Sequence, residues 1–189
     1  MSPITHFLAG WVTANVLEGN SRRERAAIAL AGVAPDLDGV GVVADLLTRN
    51  SQHPLDWFGE YHHLLGHNLG FGLLVAGLSL LIAKHRLMTA GLCLLSFHVH
   101  LLGDLLGSRG PDGYQWPIPY LLPFSSAWQL TWKGQWELNA WPNIVLTLLL
   151  LSATFLIAHR RGRSPLEFVS TSGDEAFVSA VRRRFRRRD

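Results

Sequence analysis

Long apolar runs are the feature of this 189-residue sequence that most restricts what it can fold into. Runs at Leu69–Ala83, Leu87–Leu106 and Ile144–Ala158 are joined by a fourth at Ala26–Leu47, which Pro35 interrupts. A helix rises about 1.5 Å per residue, so these runs nearly match the roughly 30 Å hydrocarbon core of a bilayer. The sequence therefore predicts a polytopic membrane protein, and the alternative is an unusually apolar soluble helical bundle.

The predicted fold class is all-α, a membrane bundle of about four to five apolar helices followed by a C-terminal amphipathic helix. Pro3–Leu17 supplies a short first helix ahead of the four runs. Residues 1–163 form the predicted membrane-embedded domain, and residues 164–189 form a predicted cytoplasmic tail. Within that tail, Gly173–Asp189 begins with acidic residues, continues with apolar residues at helical spacing and ends in arginines. This pattern is typical of a helix that binds anionic lipid.

Basic residues form short clusters that flank the apolar runs, at Arg22–Arg25, Lys84–Arg86 and Arg160–Arg163. Cytoplasmic loops of membrane proteins carry an excess of lysine and arginine. Placing the three clusters and the tail on the cytoplasmic side makes five segments alternate across the membrane, with the N-terminus outside. Because these short clusters account for the basic excess, no nucleic-acid partner is expected.

Ionisable side chains interrupt the apolar run Leu87–Leu106, at His98, His100 and Asp104. Such side chains are costly inside a membrane helix and usually mark a functional site. His100 and Asp104 are four residues apart and therefore share one helix face, as a pair of metal ligands would. His98 points to roughly the opposite face, so we expect it to pack nearby or to support a ligand.

Further histidines and aspartates lie near the ends and breaks of the other segments. Two carboxylates follow Pro35, and three histidines immediately precede the run that begins at Leu69. With the orientation derived from the basic clusters, all of these residues lie in one layer near the outer face. His100 and Asp104, on the fourth segment, lie about 21 to 27 Å along their helix from the basic turn that precedes it. That layer contains His6, Asp36, Asp38, His62, His63, His67, His100 and Asp104.

Imidazole and carboxylate ligands without thiolate suit zinc, or failing that manganese or iron. A centre of this kind can activate water, and two metals bridged by a carboxylate can stabilise both the attacking and the leaving oxygen of a phosphoester. The single cysteine, Cys93, lies too far inside an apolar run to look reactive, and it excludes an intrachain disulfide. The favoured chemistry is therefore metal-dependent hydrolysis.

The ordered motifs carry a resemblance to a known family. They are Thr5-His6 with Gly10, Pro35-Asp36-Leu37-Asp38, His62-x-x-x-x-His67-Asn68 and His100-x-x-x-Asp104. Over about Pro3 to Phe124 they resemble a bacterial family described as inner-membrane metal-dependent hydrolases, which is distantly similar to zinc-dependent phospholipase C. The resemblance implies a ligand set made of His6, Asp36, Asp38, His62, His67, His100 and Asp104. It also implies that Asp36 or Asp38 is the bridging carboxylate and general base, and that His6 binds a second metal.

The third motif departs from the usual family pattern, His-Arg-Gly-x-Thr-His-Ser. His63 stands at the arginine, Gly66 at the threonine and Asn68 at the serine. The resemblance favours His62 with His67 as ligands, which requires the next helix to begin only near Leu65–His67. On a continuous helix His63 and His67 would share a face instead, so His63 is an alternative ligand, and Asn68 is a further neighbour of the site.

The expected function is an integral-membrane metal-dependent hydrolase of a phosphodiester or related ester, lodged in a bacterial inner membrane. A site that opens at the membrane interface suits a membrane lipid or lipid-linked substrate, and the Trp- and Pro-rich connection 108–141 is expected to cover its mouth. The alternative is a non-catalytic polytopic membrane protein, whose polar cluster is structural or whose basic tail binds a partner. The sequence favours the hydrolase because buried polar contacts between membrane helices contribute only about 0.6 kcal/mol each.

Overall fold

The structure is a computed structural model that describes residues 1–110 and 112–185. In chain order the helices are α1 (Pro3–Ala14), α2 (Arg22–Ala31), a 3₁₀ helix at Ala34–Val40, α3 (Gly41–Thr48), α4 (Trp57–Tyr61), α5 (Leu69–Ile82), α6 (Arg86–Gly107), α7 (Trp141–Arg161), a 3₁₀ helix at Pro165–Phe168 and α8 (Thr171–Arg184). Among the described residues, extended pairing is limited to isolated bridges, Arg109 with Glu137 and Ile118 with Leu130. The prediction of an all-α bundle with a C-terminal helix is confirmed.

Two helices are long and apolar enough to cross a membrane, α6 with 22 residues and α7 with 21. Helix α2 and residues 34–48 are together long and apolar enough to cross a membrane, but the chain bends by 56° between them. They add a third crossing only if the bent pair is one span. The apolar helix α5 has 14 residues. These helices are those of a membrane protein, while the five-segment alternation and its orientation stay predictions.

The bundle is built around α1 and α6. Helix α1 packs against α2, α6 and α7, and α6 also packs against α2 and α5. Ala14 and Ile28 meet Leu92 and Cys93 in a buried apolar cluster between α1, α2 and α6. This packing fixes α1 and α6 against each other, so polar residues on their facing sides are held at a constant separation.

The chain turns sharply after α2, where the sequence predicts an interruption at Pro35. Helix α2 ends at Ala31 and the 3₁₀ helix begins at Ala34, with Pro35 in its first turn. Proline has no backbone N–H and fits the first turn of a helix but not its interior. The prediction of a break is confirmed, and it places Asp36 and Asp38 on a short 3₁₀ helix at the corner of the bundle.

Residues 164–185 pack against the bundle. Val178 and Val181 of α8 contact Ala158 of α7, which explains the apolar side of this helix through packing within the chain. Arg25 donates two hydrogen bonds of 2.6 Å to the carboxylate of Glu167, and both side chains are nearly buried. The division at residue 163 and the contact of the tail with anionic lipid stay predictions. Arg186–Asp189, the end of the predicted amphipathic helix, lie outside the described residues.

Candidate metal centre

Four parts of the chain meet at the predicted site. His6 comes from α1, Asp36 and Asp38 from the 3₁₀ helix after α2, and His100 and Asp104 from α6. The fourth part is the segment 62–68, which lies between α4 and α5 and carries three histidines. The convergence of side chains from distant parts of the sequence makes this cluster a candidate site.

Asp36, His67, His100 and Asp104 form the central group, in which one ligand atom of each residue lies within 4.8 Å of the others. Asp104 Oδ2 is 3.0 Å from His100 Nε2 and 3.3 Å from His67 Nε2. The two Nε2 atoms are 3.2 Å apart, and Asp36 Oδ1 is 3.6 Å from His100 Nε2. Two nitrogens and two carboxylates are a ligand set that zinc, manganese or iron can use.

Hydrogen bonds on the far side of each ring aim both Nε2 atoms into the central group. His100 Nδ1 donates to the carbonyl oxygen of Gly32 at 2.8 Å, because a carbonyl oxygen can only accept. His67 Nδ1 lies 3.1 Å from Asp38 Oδ2. Histidines that bind metals typically donate the other ring N–H to a carbonyl or carboxylate in this way. Gly32 was missed at the sequence level because a backbone carbonyl has no residue signature.

The central group favours a positive charge. Nitrogen lone pairs and a buried carboxylate that face one another repel unless a proton or a cation lies among them. Burial alone would lower the pKa of His67, but its hydrogen bonds to Asp104 and Asp38 raise that pKa to about 9. The N-terminal amino group of Met1 also contacts Asp104 Oδ1. The donor set therefore fits a bound divalent cation.

His6 contacts Oδ1 of Asp104, the carboxylate oxygen that does not face His67 and His100. Its Nε2 lies 3.1 Å from Asp104 Oδ1, and its ring stacks on that of His100 with the centroids 3.7 Å apart. The two carboxylate oxygens of Asp104 thus face different histidines. The resemblance assigned the bridging position to Asp36 or Asp38, whereas in the structure it is Asp104 that lies between His6 and the other histidines.

Asp38 lies behind the histidines. Its Oδ1 is 2.8 Å from His62 Nδ1, and its Oδ2 accepts a 2.8 Å hydrogen bond from the backbone N–H of Gly66 as well as facing His67 Nδ1. This arrangement fixes the ring of His67 and leaves its Nε2 to the central group. Asp36 contributes an oxygen to that group and has a buried Oδ2 without a hydrogen-bond partner. The catalytic roles of the two aspartates stay predictions.

His62 and His63 both lie at the site, and with His67 they form a second group whose ligand atoms are within 4.8 Å of one another. Helix α5 begins only at Leu69, so the helical phase that would pair His63 with His67 does not apply. His63 has a φ of 68°, an uncommon conformation for a non-glycine residue, and its ring stacks on that of His67 at 4.1 Å.

The ring of His63 is neutral. Burial, reinforced by the neighbouring His67, lowers the pKa of His63 to about 2. Its buried Nδ1 has no hydrogen-bond partner. A neutral, unpartnered ring is available as a ligand, so the structure supports His63 as well as His62.

His98 and Asn68 point away from the central group. His98 Nδ1 donates to the carbonyl oxygen of Leu94 at 2.7 Å, and its Nε2 is 2.9 Å from the hydroxyl of Tyr120. Asn68 is the N-cap of α5, where its side-chain oxygen accepts from the backbone N–H of Phe71 at 2.9 Å. His98 therefore anchors the connection after α6, and Asn68 fixes the point at which α5 begins.

A cavity of about 250 Å³ opens beside the cluster. Its lining includes Asp36, His62, His63 and Asp104 of the cluster, as well as Arg109 and Trp116 of the connection 108–141. The ring centroid of Trp116 lies 5.5 Å from that of His62 and 5.3 Å from that of His63. Part of the connection thus adjoins the site. Arg109 was missed at the sequence level, although its position directly after the ligand helix is a signal that could have identified it.

The fold and the site together define an all-helical membrane protein with a buried histidine–aspartate cluster. The chain belongs to the YdjM inner membrane protein family, whose family model matches residues 1–172. This match confirms the expected kinship with bacterial inner-membrane proteins. No curated protein and no solved structure matches the chain. The family's description names no activity, so the similarity to metal-dependent hydrolases and phospholipase C stays a prediction.

Proposed function

We propose that this protein is an integral-membrane metal-dependent hydrolase of a phosphodiester or related ester. The observation that carries the proposal is the convergence of His67 Nε2, His100 Nε2 and the carboxylates of Asp36 and Asp104 on one point. Each histidine is fixed from behind by a hydrogen-bond acceptor, so each Nε2 is aimed at this point before any ligand binds. These four residues would hold the metal, most suitably zinc and otherwise manganese or iron.

The residues around the metal site have distinct roles in this proposal. When bound, the metal supplies activation of water and stabilisation of negative charge on a phosphoryl oxygen. Asp36 lines the cavity and has one oxygen without a partner, so it can accept a proton from water there. Asp38 keeps His67 oriented, and His6 with His62 or His63 extends the set of ligands beyond the central group.

A lipid-linked substrate is supported by an apolar groove near the site. The groove has a volume of about 660 Å³ and is lined by residues that include Leu64, Leu65, Phe71, Leu74 and Phe124. Leu64 directly follows His63, so an acyl chain in this groove would begin close to the histidines. The basic clusters support the accompanying topology, in which the site lies toward the outer face and the arginine-rich end of α8 contacts anionic lipid in the cytoplasmic leaflet.

The alternative function is structural. The contacts of Asp104 with Met1, His6, His67 and His100 join α1, α6 and the segment 62–68, and such a network can hold helices together without catalysis. In that case the cluster persists without a metal, because protons on the histidines supply the positive charge. Metal-dependent turnover separates the two functions.

The test is hydrolysis of a chromogenic phosphodiester and of phospholipid vesicles by the detergent-purified protein, with and without added zinc. We expect zinc-dependent hydrolysis that Asp36→Asn lowers by about 10²- to 10⁴-fold, the usual contribution of a general base. Asp112→Asn, a substitution of an exposed aspartate, is the control and should leave the rate unchanged. A folded protein that hydrolyses neither substrate, with or without zinc, would contradict the hydrolase and favour the structural alternative.

A further inference from the structure

Arg109 lines the cavity beside the candidate metal centre, and its backbone position is fixed. It lies two residues after the end of α6, the helix that carries His100 and Asp104. Its backbone N–H donates to the carbonyl of Trp136 at 3.1 Å, and its own carbonyl accepts from the N–H of Leu138 at 3.3 Å. These bonds tie the ligand helix to the end of the long connection. The base of the Arg109 side chain is therefore held in place by backbone contacts that no side-chain substitution removes.

The guanidinium of Arg109 has few hydrogen-bond or ion-pair partners among the described residues. Among the described residues its Nε is buried and has no hydrogen-bond partner. Its one ion pair within that part of the chain, from Nη2 to Glu137 Oε1 at 3.6 Å, joins side chains that are 35% and 47% exposed. Exposed pairs of this kind contribute little to stability, whereas a buried donor without a partner carries a desolvation cost. Arg109 thus retains donors for a ligand in the cavity.

The cavity wall has two chemically different parts. One part contains the carboxylates and imidazoles of the candidate metal centre, among them Asp36, Asp104 and His63. The other contains Arg109, which among the described residues lining this cavity has the only lysine or arginine side chain. A cavity lined by both an arginine and a metal-ligand cluster is suited to an anion that the metal and the arginine share.

We infer that Arg109 is a substrate-binding residue that holds the non-bridging oxygens of a phosphate group and so selects an anionic phosphoester over a neutral ester. The inference rests on the proposed function, because residues of the metal centre line the same cavity. Phe58 and Trp116 line the cavity as well and offer aromatic surfaces to the group that the phosphate carries. The substrate class is thereby narrowed to phosphomonoesters and phosphodiesters with a free anionic oxygen.

Inorganic phosphate is the probe that tests this assignment, titrated into the zinc-loaded, detergent-purified full chain by calorimetry. We expect Arg109→Gln to weaken phosphate binding by at least about tenfold, because hydrogen bonds from a charged donor are lost, while zinc stoichiometry stays unchanged. Arg109→Lys keeps the charge but loses the planar pair of donors, so it should bind phosphate with intermediate affinity. It also serves as the comparison if Arg109→Gln does not fold.

Two controls separate anion binding from a structural or a general electrostatic role. Glu137→Gln removes the ion pair and leaves Arg109 in place, so phosphate affinity should stay the same or increase. Arg49→Gln removes a charge from an exposed arginine at the end of α3 and should have no effect. Equal effects of Arg109→Gln and Arg49→Gln would overturn the assignment, as would phosphate affinity that is unchanged by Arg109→Gln.

The outcome also distinguishes this inference from the proposed function. A wild-type chain that holds no zinc contradicts the proposed metal centre. A zinc-loaded chain that binds no phosphate, or binds it independently of Arg109, contradicts only the role of Arg109. Zinc binding together with Arg109-dependent phosphate binding supports both.

Discussion

Replacing Gly66 with alanine should separate two of the chain segments that form the candidate metal centre. A Cβ at position 66 would lie 2.2 Å from the carbonyl oxygen of Pro35 and 2.9 Å from its carbonyl carbon. Both are backbone atoms, so no side chain can move aside to make room. Gly66 precedes His67 and Pro35 precedes Asp36, and the methyl group therefore acts directly between two proposed ligands.

The size of the displacement follows from the contact. Real Cβ atoms essentially never approach a neighbour closer than 3.0 Å, so the segments must move apart by about 1 Å to reach an ordinary contact. The same movement stretches the 2.8 Å hydrogen bond from the Gly66 N–H to Asp38 Oδ2. Metal–ligand distances tolerate only about 0.2 Å, and disturbing the hydrogen bonds that orient metal ligands typically lowers metal affinity by about 10- to 100-fold. We therefore expect zinc affinity to fall by about 10- to 100-fold and stability to fall by about 1–3 kcal/mol through overpacking.

The assay is a zinc titration against a chromophoric chelator, combined with thermal unfolding of the same samples. Gly77→Ala is the matched control, because a Cβ at Gly77 of α5 meets no atom within 4 Å. It should leave zinc affinity unchanged and stabilise the helix by about 0.5–1 kcal/mol. Zinc affinity in Gly66→Ala within about twofold of wild type would refute the argument that this close approach positions the ligands.

Three further predictions follow from other contacts. His67→Ala should abolish stoichiometric zinc binding while His98→Ala retains it, because of these two histidines only His67 directs a nitrogen into the central group. Equilibrium dialysis measures zinc binding by both variants, and equal losses would contradict the assignment. Because the pKa of His67 is raised to about 9 in the metal-free protein, zinc must displace the proton of this ring. The apparent zinc affinity should therefore rise between neutral pH and about pH 9, by up to roughly tenfold per pH unit. A flat pH profile measured by competition titration would exclude this coupling. Arg25→Ala leaves the nearly buried carboxylate of Glu167 without its partner and should lower the free energy of unfolding by about 3–5 kcal/mol, measured by thermal or denaturant unfolding. Arg49→Ala, at an exposed site, should change the free energy of unfolding by less than about 0.5 kcal/mol. Equal effects of the two substitutions would rule out a stabilising role for the ion pair between Arg25 and Glu167.

Two of the apolar helices could be predicted from the sequence almost to the residue, whereas α7 extends three residues beyond the predicted run Ile144–Ala158 at each end. The runs Leu69–Ala83 and Leu87–Leu106 correspond to helices Leu69–Ile82 and Arg86–Gly107. In these segments length, composition and the basic turn between them all favour the same structure. The short helices α3 and α4 were not predicted, because a few residues among polar and aromatic neighbours carry little periodic signal. Their ends depend on tertiary contacts, such as the hydrogen bonds from Asp45 to the backbone N–H groups of Trp57 and Phe58.

The composition of the cluster was accessible from the sequence, but its internal arrangement was not. Helical spacing places His100 and Asp104 on one face, and a proline break places Asp36 at a corner. The position of Asp104 between His6 and the other histidines depends on how α1 packs against α6, which no local pattern encodes. The same holds for the orientation of His100, which a backbone carbonyl fixes.

The measurement that tests the central claim most directly is the transition-metal content of the detergent-purified protein, determined by mass spectrometry for wild type, His67→Ala and Asp104→Asn. The proposed centre predicts about one equivalent or more in wild type and loss of that metal in both variants, with His98→Ala unchanged. Less than about half an equivalent in wild type, with the same value in His67→Ala and Asp104→Asn, would contradict the account and leave the cluster with a structural role.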